Sequence, residues 1–235
     1  MEELRPNEQR ASIAIVLIWL VSLMEGISLF SNWLQYDFLD QVANGIEIAP
    51  GAAEANDMRV SAIAITYLVV YIISVITFIL WFRRAYYNLH LTGENLSFSE
   101  GWAAGSWFVP IMSLFRPFQI MKELYSKTKE LLVKNGLTAD DDFSPAALGW
   151  WWALWILNNF MGQFEFRYSR NADAMDEFFI LTVSGMVGNV LGIVLGIITV
   201  KVIKDYSKKE HLLNEIRDDN TTTDFHSSHM QPDIL

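Results

Sequence analysis

Residues 97–136 read SFSEGWAAGSWFVPIMSLFRPFQIMKELYSKTKELLVKNG. The first half of this stretch is apolar and aromatic but is interrupted at Pro110, where a backbone donor is lost and the ring clashes with the preceding turn. Ser97 and Glu100 fit a capping box, so a helix is predicted to begin there. Running from 98 to 115 it would reach about 27 Å, short of a hydrocarbon layer about 30 Å thick. The prediction for 98–115 is therefore a re-entrant or interfacial segment. Pro117 suits the first turn of a second helix, expected over 117–135. Met121, Leu124, Thr128 and Leu131 fall on one face of it, while Lys122, Glu123, Lys127, Lys129, Glu130 and Lys134 lie mainly elsewhere. Glu123–Lys127 and Glu130–Lys134 are i,i+4 pairs in the favourable order, and Gly136 suits the C-cap. Such an amphipathic helix lies on a membrane surface or on partner helices.

Long apolar runs flank this stretch on both sides. They cover 12–34, 60–82, 145–164 and 178–200, each long enough to cross hydrocarbon at 1.5 Å per residue. The predicted fold class is all-α: a polytopic membrane protein with four transmembrane helices, the re-entrant or interfacial helix and the amphipathic helix. Residues 1–11 form an N-terminal leader, 12–204 the membrane domain, and 205–235 a polar tail expected to be disordered after 217. The leader carries as much acid as base and no small-residue cleavage site follows it, so the first run reads as a retained span. Asn44-Gly45 and Pro50-Gly51 signal turns between the first two spans. Ser144-Pro145 signals the start of the third.

Of the 235 residues 52% are hydrophobic and 14% aromatic, and the net charge is −10. That acidic balance argues against nucleic acid as a partner, since phosphate binding needs a basic face. There is no cysteine, which removes disulfides, thiolate metal sites and a thiol nucleophile. With four spans and both termini inside, 14 of the 17 Lys and Arg lie on the inner side and only Arg59, Arg167 and Arg170 outside. This satisfies the positive-inside rule. If 98–115 crossed fully, the basic residues from Arg116 to Lys134 would move outside. The expected location is the inner (plasma) membrane, with cytoplasmic termini.

Glu25 lies near the middle of the first span, where an ionisable group costs roughly 2.5–3.5 kcal/mol to insert. It reads either as an ion or proton relay or ligand contact, or as a neutral carboxyl hydrogen-bonded to Asn158, Asn159 or Asn189. Ser184, Gly188, Gly192 and Gly196 line one helix face and admit a close neighbour, within the fold or in a homo-oligomer. Trp150, Trp151, Trp152 and Trp155, with Trp102 and Trp107, read as an aromatic belt at headgroup level. No histidine falls inside a span, so no haem is expected, and no other cofactor or metal. Asp140-Asp141-Asp142 lacks the alternation of a calcium loop and reads as linker. Arg83-Arg84, Arg116 and Lys122 set topology or contact anionic lipid headgroups. No nucleophile–base arrangement or phosphate loop is present, so the chain is not expected to be an enzyme.

The segments WFRRAYYNLH, GWAAGSWFVPIMSLFRPFQIMKELY and LGWWWALWILNN resemble bacterial membrane proteins grouped as domain of unknown function 4328. The likeness runs from Ser12 to Lys204. It implies a small multi-pass inner-membrane protein and singles out Trp107, Pro110, Arg116, Pro117 and Gln119, which match the central motif, but it implies no activity. The leading expectation is a non-enzymatic structural, interaction or lipid-contacting module in the bilayer, with a membrane partner or second copy as possible company. The alternative is a small transporter or channel using Glu25 in a polar intramembrane site.

Overall fold

A computed structural model describes the backbone of residues 4–137 and 145–228, and the side chains of 4–137 and 148–213. Among the described residues the chain is helical, without strands. The helices are α1 (Glu8–Ala43), α2 (Ala52–His90), α3 (Glu100–Gly105), α4 (Arg116–Lys134), α5 (Pro145–Ser169) and α6 (Met175–Ser228), with a single 3-10 turn at Met112–Leu114. Three of them, α1, α2 and the Met175–Leu213 part of α6, are long and apolar enough to cross a membrane. The α5 helix, 25 residues long, is not among them.

The helices outrun the apolar segments that seeded them, because no proline interrupts them. Thus α1 continues to Ala43 and α2 starts at Ala52. The turn between them uses Gly45 at φ 70° and Gly51 at φ 81°, a region only glycine enters at little cost. The α6 helix runs to Ser228, and residues 201–228 contain neither Gly nor Pro to stop it. The Asp140-Asp141-Asp142 run and Ser144 lie outside the described residues.

The expectation of a helix over 98–115 is corrected. Only Glu100–Gly105 is α-helical, a length of about 9 Å. Chain from Ser106 to Phe115 is turns and the 3-10 piece, because Pro110 cannot donate and disfavours helix at Val109. The capping box does not form either. Ser99 is the N-cap and makes no side-chain cap bond. Glu100 instead pairs with Arg83 at 3.2 Å, and the Ser97 N–H donates to Glu123 Oε1 at 2.8 Å.

Contacts divide the chain into two compact units. One comprises Met1–Ser12, Phe78–Leu148 and Val202–Leu235; the other comprises Ile13–Thr77 and Gly149–Lys201. The core of the first holds Trp81, Phe82, Tyr86, Leu89, Ile120, Leu124 and Tyr206, all fully buried. The α4 helix, starting one residue before Pro117, buries Met121, Leu124, Thr128 and Leu131, and exposes Lys122, Ser126, Glu130 and Lys134. Its end is a Schellman motif: Gly136 sits at φ 75°, and the Leu137 N–H donates to Leu132 O at 2.9 Å. Tyr125 donates to Val202 O at 2.6 Å, tying α4 to α6. The i,i+4 pair Glu123–Lys127 is replaced. Tyr86 OH donates to Glu123 at 2.6 Å, while Lys127 turns to Glu130 at 2.9 Å and Glu94 at 3.6 Å.

Candidate functional site

In the second unit α1 brings Glu25 into the bundle, because it shares a helix face with Ser22, Ser28 and Asn32 at spacings of three, three and four. The carboxylate is 5% exposed. Tyr67 OH of α2 donates to its Oε1 at 2.7 Å, and Asn189 Nδ2 of α6 donates to its Oε2 at 2.7 Å. Asn32 Nδ2 in turn donates to Asn189 Oδ1 at 3.0 Å, which fixes the amide's orientation. The three helices are thus joined by a continuous polar chain, of the kind a low-dielectric interior makes strong when every member is paired.

This network forms one wall of a cavity of about 440 Å³. Ser28, Ser31, Asn158, Met161, Gly162 and Glu165 complete much of its lining. Glu165 is the second carboxylate there, and its Oε1 is buried without a hydrogen-bond partner. It reaches the cavity because α5 does not stop at 164 but continues to Ser169. Asn158, Met161, Gly162 and Glu165 then follow the i, i+3, i+4, i+7 spacing of one face. Among the described residues no group of three or more His, Cys, Asp or Glu is gathered.

The small-residue stripe of α6 makes this geometry possible. A Cβ on Gly192 would overlap Glu25 Oε1, and one on Gly188 would lie 3.1 Å from Glu165 Oε1. A Cβ on Gly196 would overlap Ser22 Oγ, and one on Gly185 would lie 2.9 Å from Asn32 Nδ2. The glycines therefore admit polar side chains of the same chain, two of them carboxylates. Ser184 instead lines a shallow pocket with Tyr36, Asp40 and Phe179. Of the three asparagines considered as partners for Glu25, Asn189 binds it and Asn158 lines the cavity. Asn159 donates back to Trp155 O at 2.8 Å on its own helix. Tyr67 and Glu165 were not anticipated, although Glu165 was detectable as the seventh residue after Asn158.

The tryptophans do not form a simple outward belt. Trp150 is 73% exposed, but Trp151 is buried and donates to Thr199 Oγ1 at 3.0 Å, and buried Trp152 stacks on Trp155 at 4.5 Å. A helix presents consecutive residues about 100° apart, so a run of three cannot share a face. In the first unit Trp107 packs edge-on against Phe78 at 5.7 Å and Phe82 at 6.3 Å. Arg116 lies over the ring of Phe98 at 4.6 Å, with Phe115 and Trp102 at 5.8 and 6.0 Å. Pro117 is buried in the first turn of α4; Pro110 and Gln119 are exposed.

The family described as domain of unknown function (DUF4328) matches residues 44–208, well over half of the chain. The chain belongs to the DUF4328 family. The matched region holds Tyr67, Arg116, Glu165, Gly188, Asn189 and Gly192; it starts later than the likeness placed at Ser12 and leaves Glu25 before its first residue. No curated protein and no solved structure matches the chain. DUF4328 membership and three helices long and apolar enough to cross a membrane are together consistent with an integral membrane protein of unknown activity.

Proposed function

We propose that this DUF4328 protein is non-enzymatic, sits in the bacterial inner membrane with four spans and cytoplasmic termini, and binds a small organic cation in the Glu25–Glu165 cavity. The observation that carries this is the pairing of two carboxylates, Glu25 and Glu165, around one cavity between apolar helices. Buried ionisable groups in a membrane segment are expensive and mark solute or ion paths. The volume, about 440 Å³, falls within the range of small-molecule sites. Two carboxylates supply negative charge, while Asn158, Ser28 and Ser31 supply neutral polar groups. Among the described residues no third acidic or imidazole side chain joins the two carboxylates, which favours an ammonium group over a hard divalent cation such as calcium or magnesium, which takes six or more oxygens. This reading is the transporter-like alternative and leaves lipid contact to other parts of the chain. The glycine stripe is occupied by side chains of its own chain, so a homo-oligomer would use another face.

Calorimetric titration of the protein in nanodiscs with choline and putrescine tests the cavity. Saturable binding is expected, weakened at least about tenfold in Glu25→Gln and in Glu165→Gln, as when one partner of a desolvated charge pair is removed. Binding of neither probe, or binding indifferent to both substitutions, overturns the reading. The topology is tested separately on single-cysteine variants, since the chain has no cysteine of its own. Ser126→Cys labelled from outside intact cells would overturn it.

A further inference from the structure

The segment from Trp107 to Arg116 in the first unit has no role in the cavity. It exposes Phe108 at 75% and Ile111 at 76%, with Val109, Leu114 and Phe115 also exposed. From Gly101 to Met121 there is no acidic residue and one cation, Arg116. A protruding loop of this composition is costly in water, where exposed apolar patches mark interaction sites. Its position narrows the partner. Trp107 packs between Phe78 and Phe82 of α2, at the end of the apolar run 60–82 that Arg83 and Arg84 close. The loop is therefore fixed to the part of a spanning helix where hydrocarbon gives way to headgroups, beside Leu80, itself exposed.

Part of the backbone suits that place, since five of its N–H groups are paired with nearby carbonyls. Irregular chain is tolerated in an apolar layer only where its polar groups are satisfied. Trp107 N–H donates to Ala104 O, Phe108 to Gly105 O, Ser113 to Val109 O, Leu114 to Ile111 O and Phe115 to Met112 O. Pro110 has no N–H to satisfy. The Ser113 hydroxyl donates to Pro110 O at 2.8 Å.

Arg116 supplies the polar half. Its guanidinium lies on three aromatic rings, Nε is buried without a partner, and no carboxylate pairs with it among the described residues. The rings orient its remaining donors without consuming them, and a planar fork of donors suits a phosphate oxygen pair.

We infer that residues 107–116 are an interfacial insertion loop: Phe108 and Ile111 enter the acyl layer of one leaflet, and Arg116 binds the phosphate of an anionic lipid there. A bilayer fits better than a protein partner because Trp107 anchors the loop on α2, a helix long and apolar enough to cross a bilayer.

The test uses full-length protein in nanodiscs of phosphatidylcholine with phosphatidylglycerol. Spin labels at Phe108→Cys and Ile111→Cys are expected to be accessible to oxygen and shielded from a water-soluble nickel complex, whereas Ser126→Cys on the exposed face of α4 is open to nickel. Loop labels as open to nickel as Ser126→Cys overturn the insertion. A bimane at Phe108→Cys is then quenched by brominated phosphatidylglycerol in preference to brominated phosphatidylcholine. That preference should fall about fivefold in Arg116→Gln, the effect of one basic residue at an anionic surface, and return in Arg116→Lys. Equal quenching by both lipids in the unsubstituted loop overturns the headgroup assignment, and because depth is read from separate labels, a poorly folded Arg116→Gln leaves the insertion testable.

Discussion

Each of the two units buries a glutamate, and the two are held alike but surrounded differently. Glu25 accepts from Tyr67 and Asn189. Glu210 is 8% exposed, accepts from Asn88 at 2.8 Å and from Asn7 at 3.0 Å, and joins the residue before α1 to the end of α2 and the late part of α6. Asn88 Nδ2 also donates to Arg5 O at 3.0 Å, so the N-terminal segment is held twice. The difference lies in the next layer. Around Glu25 the packing opens into a cavity, whereas around Glu210 the fully buried Trp81, Tyr206 and Leu89 fill the unit's core. A buried carboxylate in a filled core has one available role, to satisfy its donors; one beside a cavity can also meet a solute.

That contrast is sharpest in stability. Glu210→Ala strands two amide donors in a filled core, and is expected to cost about 2–4 kcal/mol. Glu25→Ala strands Tyr67 and Asn189 beside a cavity roomy enough for water, so about 1 kcal/mol is expected. Unfolding of both variants in the same detergent, followed by tryptophan fluorescence, ranks them. Equal costs would mean that the cavity is dry and the two glutamates are both structural.

A smaller effect separates the glycines. Gly192→Ala pushes a methyl into Glu25 and is expected to destabilise by about 1–3 kcal/mol. Gly149→Ala meets nothing within 4 Å on α5 and should stabilise by about 0.5–1 kcal/mol, the usual gain in a helix interior. The same substitution thus changes sign between two helices of one unit. Two destabilisations of similar size would show that the stripe reflects helix flexibility and not the room made for a carboxylate.

How much of this was legible follows from how local each feature is. Glu25 stood out because a charge in an apolar run has no local explanation, and the glycine stripe because its period of four is written in one helix. Tyr67 did not, because a tyrosine in a span is unremarkable until a residue 42 positions away turns out to be its acceptor. Glu165 was hidden by an end placed at 164, where hydropathy fades but helix propensity does not. Glu210 was hidden among lysines, yet Ile203, Tyr206, Glu210 and Leu213 form a stripe at spacings of three, four and three, all buried. It occupies a core position in a polar-looking helix. The broken stretch at 97–116 was legible only in outline: Pro110 fixes that a helix stops, and tertiary contacts such as Ser97–Glu123 decide what replaces it.

The smallest expected effect lies on the outer face of α4, and it tests whether the units' polar contacts matter through burial. Lys127 and Glu130 are 2.9 Å apart, as close as the contacts of Glu210. The hydrogen bond to Glu130 raises the Lys127 ammonium above its ordinary value of 10.5, and Lys127 holds Glu130 below its ordinary 4.5. A raised amine stabilises the fold below its unfolded value and loses that contribution as pH climbs past its folded one. A lowered carboxyl stabilises above its unfolded value and loses that as pH falls past its folded one. Whatever the pair contributes is therefore present from about pH 4.5 to 10.5 and drains away on either side. Both groups are open to solvent, so screening and side-chain entropy should cancel nearly all of it. Lys127→Ala is expected to leave the unfolding midpoint unchanged at pH 7, in low salt and high. A clear loss of stability that high salt abolishes would mean that the exposed face of α4 is held in a low-dielectric setting, and the distinction drawn here between filled, cavity-side and solvated polar contacts would need a third partner, the membrane surface.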